Sequence, residues 1–171
     1  MKAMTGGVVR IGDDVDTDMM VPGAYLNVTD PELLAPHLLE AYDPAVTARI
    51  GPGTILVAGR NLGLGSSREH AQLALRGRGV QAVIAESFAR IFFRNCVNLG
   101  LPVIEHPSAA RALRDGASVT VDLARGRLAS EGTEWTIPPA PPFIAELVAA
   151  GGLVPWVRER LAGSEPRRPT T

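Results

Sequence analysis

The segment that decides the fold is Val57-Ala58-Gly59-Arg60-Asn61-Leu62-Gly63-Leu64-Gly65-Ser66-Ser67-Arg68-Glu69-His70-Ala71. A continuously apolar run, Thr54 to Ala58, enters it, and a helix-like run from Arg68 to about Arg76 leaves it. Between them stand glycines, two adjacent serines and an arginine. Glycine lets backbone come close to backbone or ligand and permits positive φ. A helix start offers unpaired N–H groups and a partial positive charge. With Arg68 beside it, such a strand–loop–helix corner is a seat for an anion, and a carboxylate held there would meet a serine oxygen. The same residues also have a purely structural reading, because Ser66 and Glu69 carry the spacing of a capping box. One cap accounts for only one serine, however. Arg68 in a first helical turn also opposes the helix dipole, a conflict that a bound anion removes. Three mechanistic motifs do not fit: there is no GxxxxGK[ST] phosphate loop, Arg68 occupies the third glycine position of a dinucleotide fingerprint, and Leu64-Gly65-Ser66-Ser67-Arg68 is not a G-x-S-x-G elbow.

Outward from this corner the pattern alternates. Ala71, Ala74 and Leu75 share a helix face, and Gly77 and Gly79 end that helix. Val80 to Ala85 reads as a buried strand. Ser87 is placed to cap a helix carrying Phe88, Ile91, Phe92, Cys96 and Leu99 on one face, and Gly100 closes it. Cys96 reads as core packing. Leu101 to Ile104 is a further short strand. Residues 54–104 therefore read β-α-β-α-β, the mark of an α/β domain with parallel strands.

Upstream, Gly7 to Ile11 reads as a first strand. Asp13-Asp14-Val15-Asp16-Thr17-Asp18 has carboxylates at calcium-loop positions 1, 3 and 5, but Met19 replaces the required glycine and Tyr25 the required glutamate. A turn with Asx-type bonds, or a polar loop on a site rim, remains. Met19 to Val28, with Pro22 and Gly23, reads as an extended loop. Pro31 to Ala41 reads as a helix capped by Thr29 or Asp30 and divided at Pro36. Downstream of Pro107, Val119–Leu123, Arg127–Ser130 and Glu134–Ile137 read as antiparallel strands. Phe143–Ala150 and Val154–Leu161 read as helices after a proline-stiffened connector. Trp135 and Trp156 read as packing anchors. Residues 1–162 form the expected domain, and the polar, proline-bearing 163–171 an expected disordered tail.

Composition bounds the function. The 171 residues are 46% hydrophobic and 20% charged, with a net charge of −1, so nothing favours a nucleic-acid or acidic-membrane partner. No apolar run reaches the ~18 residues of a membrane span, and no signal-peptide pattern opens the chain. One cysteine bars an internal disulfide framework, which fits the cytoplasm. It also bars a self-contained iron–sulfur or Cys-type zinc site, which needs several thiolates.

Three ordered blocks then carry a resemblance. Gly63-Leu64-Gly65-Ser66-Ser67-Arg68-Glu69-His70-Ala71 resembles the GxGSSREHA segment of the aconitase/isopropylmalate isomerase family of hydro-lyases. Asp14-Val15-Asp16-Thr17-Asp18, with Pro22 and Tyr25-Leu26, resembles its DxDTD…P..YL segment. Ser87-Phe88-Ala89-Arg90-Ile91-Phe92 and Asn95 to Pro102 resemble its SFARIF and N..N.GLP segments. The resemblance implies an α/β swivelling β/β/α domain, a mixed sheet or half-barrel flanked by helices, made as a separate small subunit. It implies a large partner subunit carrying a 4Fe-4S cluster, with no cofactor or metal in this chain. Ser66 would match the catalytic base. Gly65, Ser67 and Arg68 would match substrate-carboxylate positions, and Tyr25 and Leu26 the segment that shapes the pocket for the substrate's variable group. The implied reaction is interconversion of 2- and 3-isopropylmalate through 2-isopropylmaleate, in leucine synthesis. Homoaconitate or another malate is the alternative substrate, and a non-catalytic carboxylate-binding scaffold the alternative class. Leu26 and Val28, with no arginine after Tyr25-Leu26, favour the isopropyl group. Met19-Met20 departs from the family wording.

Overall fold

The computed structural model describes residues 3–163, and over these it holds seven strands and eight α-helices. The sheet is mixed, in the order β4-β3-β2-β1-β5-β6-β7. β1 (Met4–Arg10), β2 (Ile55–Ala58), β3 (Ala82–Ala85) and β4 (Val103–Glu105) run parallel, and β5 (Ser118–Asp122), β6 (Arg127–Ser130) and β7 (Thr133–Thr136) extend the sheet antiparallel from β1. The sequence pattern anticipates these seven strands, with ends within about three residues, and the parallel and antiparallel halves of the sheet.

Why the central strands read as unbroken apolar runs is now visible. Side chains alternate across a strand, so a strand covered on both faces must be apolar throughout. Leu56, Ala58, Val83 and Ala85 enter one core, with Leu34, Ala71, Leu75, Phe92 and Cys96 of the covering helices. Ile55, Val57, Ala82 and Ile84 enter the other, with Ala109, Ala110, Leu113, Val119 and Leu128. The first core is covered by α2 (Pro31–Leu34), α4 (His70–Gly77) and α5 (Arg90–Asn98), and the second by α6 (Pro107–Ala112).

The helices depart from expectation in detail. Thr17–Met20, from the end of the acidic run into the stretch read as an extended loop, forms the one-turn α1, and Gly23–Tyr25 within that stretch forms a 3-10 turn. Asp30 caps α2, Pro31 stands at its start, and a 3-10 turn at Ala35–His37 replaces the helix at Pro36, as the proline requires. The short helices α3 (Pro44–Arg49) and α6 were not anticipated, since neither has two full turns of periodic pattern. Ile91, expected on the buried face of α5, is 47% exposed, because that helix starts at Arg90 and turns Phe92 and Cys96 inward instead. α7 (Pro142–Ala150) and α8 (Leu153–Gly163) form where expected. Trp156 packs edge-on against Phe143, and half-buried Trp135 packs on the second core. Gly163 belongs to α8, and the rest of the expected disordered tail, residues 164–171, lies outside the described residues. Among the described residues no helix is long and apolar enough to cross a membrane.

Gly63 locks the site loop onto α5. Its φ is +84°, and a Cβ there would lie 2.1 Å from the Phe92 ring. Gly63→Ala is therefore expected to destabilise the chain by about 2–4 kcal/mol, from overpacking plus left-handed strain. Urea unfolding of the variant against the parent checks this.

Candidate active site

Because β1, β2 and β3 are parallel, the loops that follow them leave the same edge of the sheet, and they go on pairing beyond it. On one flank of the middle loop, Asp14 N donates to Arg60 O at 2.8 Å, Gly63 N to Val15 O at 2.8 Å and Thr17 N to Leu64 O at 2.9 Å. On the other flank, Leu62 N donates to Ser87 O at 3.0 Å and Ala89 N to Leu62 O at 2.9 Å. Side chains reinforce both seams. Asn61 N donates to Ser87 Oγ at 2.9 Å, and Asn61 Nδ2 to Asp14 Oδ1 at 3.0 Å. The Asp13 carboxylate receives Arg60 N at 2.9 Å and the guanidinium Nε and Nη2 at 3.1 and 2.8 Å.

Two expectations change here. Ser87 does not cap α5, whose N-cap is Ala89 without a side-chain bond, because the Ser87 hydroxyl turns back to hold Asn61. The acidic run is a structured turn: Asp14 adopts φ +52°, and Asp16 caps α1 by accepting from Met19 N at 2.7 Å. Its carboxylates thus serve neighbouring N–H groups and Arg60.

The tip of the middle loop carries Gly65, Ser66, Ser67 and Arg68 together. Gly65 has φ +100°, which side chains rarely adopt. Ser66 N donates to the buried Thr17 Oγ1 at 2.9 Å. Ser66 Oγ accepts from Arg68 N at 3.2 Å and from Arg68 Nε at 3.0 Å. Asn95 Nδ2 of α5 donates to Ser67 O at 3.0 Å. The capping box does not form. α4 begins at His70, two residues later than expected, and its N-cap Glu69 makes no side-chain capping bond. Ser66 is already committed to Arg68. Arg68 therefore precedes the helix, so the conflict with the dipole does not arise, and the positive character at Ser66 comes from Arg68 itself.

Ser66 is half-buried, while Gly65, Ser67 and Arg68 are exposed, so solvent and a small anion reach the corner. Two donors on one hydroxyl, one of them cationic, favour its anionic form. Among the described residues Arg68 makes no ion pair, which leaves its terminal nitrogens free to fork a carboxylate.

Tyr25 and Leu26 stand apart from this cluster. The Tyr25 ring stacks on His37 at 3.6 Å, and His37 Nδ1 lies 2.8 Å from Glu40. Partial desolvation, then its hydrogen bond to Glu40, pushes the Tyr25 hydroxyl above its ordinary pKa. Tyr25 and Val28 pack against the first core, and among the described residues no hydrogen bond or ring contact joins Tyr25 or Leu26 to the Ser66 corner. Sequence reasoning overlooked three nearby residues. Thr17 and Asn95 sit inside the quoted blocks but were given no role. His70, at the start of α4, has both ring nitrogens buried without a partner among the described residues.

Among the described residues no group of three or more His, Cys, Asp or Glu side chains is placed to hold a metal ion. Cys96 is buried in the first core, and burial pushes its thiol far above the ordinary range, the reverse of what a metal-binding thiolate needs. The residues present do not fit an iron–sulfur cluster.

Residues 15–109, which hold Val15–Asp18 of the acidic turn, the serine loop and α5, match the family model for the aconitase C-terminal domain. The chain belongs to the aconitase C-terminal domain family. The match to this family extends well beyond that domain. The 3-isopropylmalate dehydratase small subunit of Moorella thermoacetica is 48% identical over 155 residues, covering 90% of this chain and 93% of that one. The small subunit of the same name from Thermodesulfovibrio yellowstonii is 45% identical over 159 residues, covering 92% and 95%. The crystal structure of 3-isopropylmalate dehydratase from Methanocaldococcus jannaschii aligns with a TM-score of 0.87 at 38% identity, covering 96% of this chain and 99% of that one. The family and the mixed α/β sheet implied by the three sequence blocks are thus borne out, and this aconitase C-terminal domain carries the serine loop at its exposed edge.

The Asp13–Arg60 seam supplies a pH test. The backbone bond from Arg60, then its side-chain bonds, hold the Asp13 carboxyl below the ordinary aspartate value. A lowered folded pKa gives a contribution that is complete above the unfolded value of about 3.9 and is lost as pH falls through the folded one. Asp13→Asn is expected to lower the thermal midpoint at pH 7, and the gap to the parent should close below about pH 4. Calorimetry across that range checks it.

Proposed function

We propose that this chain is the proton-abstracting half of an isomerising hydro-lyase, the small subunit that works with a cluster-bearing large subunit on 3-isopropylmalate. The observation that carries the reading is the Ser66 hydroxyl, held at a solvent-accessible corner and receiving both Arg68 N and Arg68 Nε. An unperturbed serine hydroxyl is too weak an acid to be ionised near neutrality. Two fixed donors lower the cost of its anion, and the guanidinium gives that anion a counter-charge.

In this reading Arg68 also forks a substrate carboxylate, the Ser67 hydroxyl and the exposed Gly65 border the same carboxylate, and the Ser66 anion takes the proton from the carbon next to it. Ser66 becomes neutral, the electron pair of the broken C–H bond forms the double bond of 2-isopropylmaleate, and the hydroxyl on the neighbouring carbon leaves. Return of that hydroxide to the carbon that lost the proton, with the Ser66 proton delivered to the carbon that lost the hydroxyl, yields the isomer and restores the Ser66 anion. The 4Fe-4S cluster, carried by the partner in this reading, supplies the Lewis acid for the hydroxyl. The names of the relatives support isopropylmalate as the substrate, and the subunit designation supports a large partner; the cytoplasm is the proposed place of work. Residues 1–162 act as one swivelling unit here, with Tyr25 and Leu26 flanking the pocket rather than touching the reacting atoms.

Ser66→Ala, in the complex reconstituted with the large subunit, is expected to lower kcat by at least ~100-fold, the usual scale for loss of a general base. Turnover within a few-fold of the parent would favour a carboxylate-binding scaffold instead. Comparing kcat/KM on 3-isopropylmalate and homoaconitate tests the substrate: a clear preference for homoaconitate rejects the assignment.

A further inference from the structure

We propose that Thr17 and Asn95 are positioning residues that clamp the Ser66 base from two sides, an inference that rests on the reading of Ser66 as the base. Residues 65–69 lie outside any helix or strand, and Gly65 holds a φ of +100°, a conformation open chiefly to glycine, the residue with the fewest backbone restraints. No side-chain cap ties Glu69 to α4. Left alone, the segment would rotate about Gly65 and carry the Ser66 hydroxyl with it. Two side chains prevent this. Thr17 Oγ1 accepts from Ser66 N at 2.9 Å, just before the Ser66 Cα, and Asn95 Nδ2 donates to Ser67 O at 3.0 Å, one residue beyond it. Among the described residues these are the hydrogen bonds that tie the Ser66–Ser67 backbone to other elements.

The two anchors come from rigid places. Thr17 is buried, opens α1, and is itself fixed by its own N–H to Leu64 O at 2.9 Å. Asn95 sits in the middle of α5, one turn after Phe92, which packs on Gly63. With the backbone pinned on each side, the direction of the Ser66 Cα–Cβ bond is set, and the two Arg68 donors then set the oxygen. The requirement for a small residue at position 65 has the same origin: a Cβ on Gly65 would lie 3.0 Å from Thr17 Oγ1. Neither anchor touches the reacting atoms. Their contribution is alignment, where a shift of about 1 Å can cost on the order of 100-fold in rate.

The test uses the reconstituted two-subunit complex with 3-isopropylmalate. Thr17→Val keeps the shape and removes the acceptor; Thr17→Ser restores the hydroxyl; Asn95→Asp keeps the shape and removes the donor. Thr17→Val and Asn95→Asp are expected to lower kcat by about 10- to 100-fold with KM within about threefold of the parent, and Thr17→Ser to recover at least a third of the parental kcat. A residue that only supported folding would lower the active fraction and the thermal midpoint together, and serine, which packs less well than valine at a buried site, would not rescue it. Asn95 is half-exposed, so Asn95→Asp keeps the proposal falsifiable should Thr17→Val not fold. A kcat within twofold of the parent for Asn95→Asp or for folded Thr17→Val, or failure of Thr17→Ser to rescue, overturns the clamp. Ser66→Ala run alongside separates the two ideas. A large loss there without loss in the anchor variants removes the clamp alone; no loss with Ser66→Ala removes the base reading, and the clamp with it.

Discussion

The structure depends on parallel pairing that does not stop where the strands stop. β1, β2 and β3 end in step, and the loops that leave them stay within backbone hydrogen-bond reach for several more residues. The middle loop, the one bearing Ser66, is therefore bonded on one flank up to Leu64 and on the other up to Leu62. A glycine-rich segment has the highest entropy cost of ordering, and here that cost is offset by two seams of hydrogen bonds and by the Phe92 ring seated on Gly63. Glycine at 63 is thus what lets α5 come close enough for Asn95 to reach the loop tip.

Electrostatics at the tip follow from the same geometry. A helix N-terminus is the obvious source of positive potential after a strand–loop corner. Here α4 starts at His70, four residues beyond Ser66, and Glu69 rather than a small polar residue stands at its cap. The donors that reach Ser66 Oγ are both on Arg68, one from the backbone and one from the guanidinium. A single residue thus presents a fixed dipole and a full charge to one oxygen, and its remaining guanidinium nitrogens face solvent. That arrangement suits an anionic partner on the open side, which would complete the charge balance that the protein alone leaves unfinished.

Much of this was legible in the sequence, for identifiable reasons. Thr54–Ala58 and Val80–Ala85 announce themselves because strands covered on both faces tolerate no polar residue. Arg125-Gly126 and Glu131-Gly132 mark the turns of the antiparallel half. The corner itself could be located from its glycines, serines and arginine. Its internal wiring could not. Ser66–Glu69 and Ser87 both have the spacing of helix caps, yet the Ser87 hydroxyl holds Asn61 across loops, and the Ser66 hydroxyl accepts from Arg68 two residues on in its own loop. Local spacing cannot reveal the choice at Ser87, because its competing partner is supplied by tertiary pairing. Thr17 escaped notice for the same reason: its partner is 49 residues away in sequence. Tyr25 is a further case: its ring stacks on His37, a contact that its motif does not announce.

The exposure of the corner carries a last consequence for how the site divides its work. An anion on Ser66 and a carboxylate on Arg68 are both weakened by water, since charge interactions in bulk solvent are many-fold smaller than in a dry site. Gly65, Ser67 and Arg68 are exposed in the isolated chain. On the proposed reading, a docking partner does more than bring a Lewis acid. By excluding water from this edge it strengthens the Arg68 bonds to Ser66 and to the substrate together. Preorganisation belongs to this chain, in the seams and the Phe92–Gly63 contact, while dryness belongs to the assembly. On that reading the Ser66 base and its Arg68 counter-charge act at full strength only once the edge is covered.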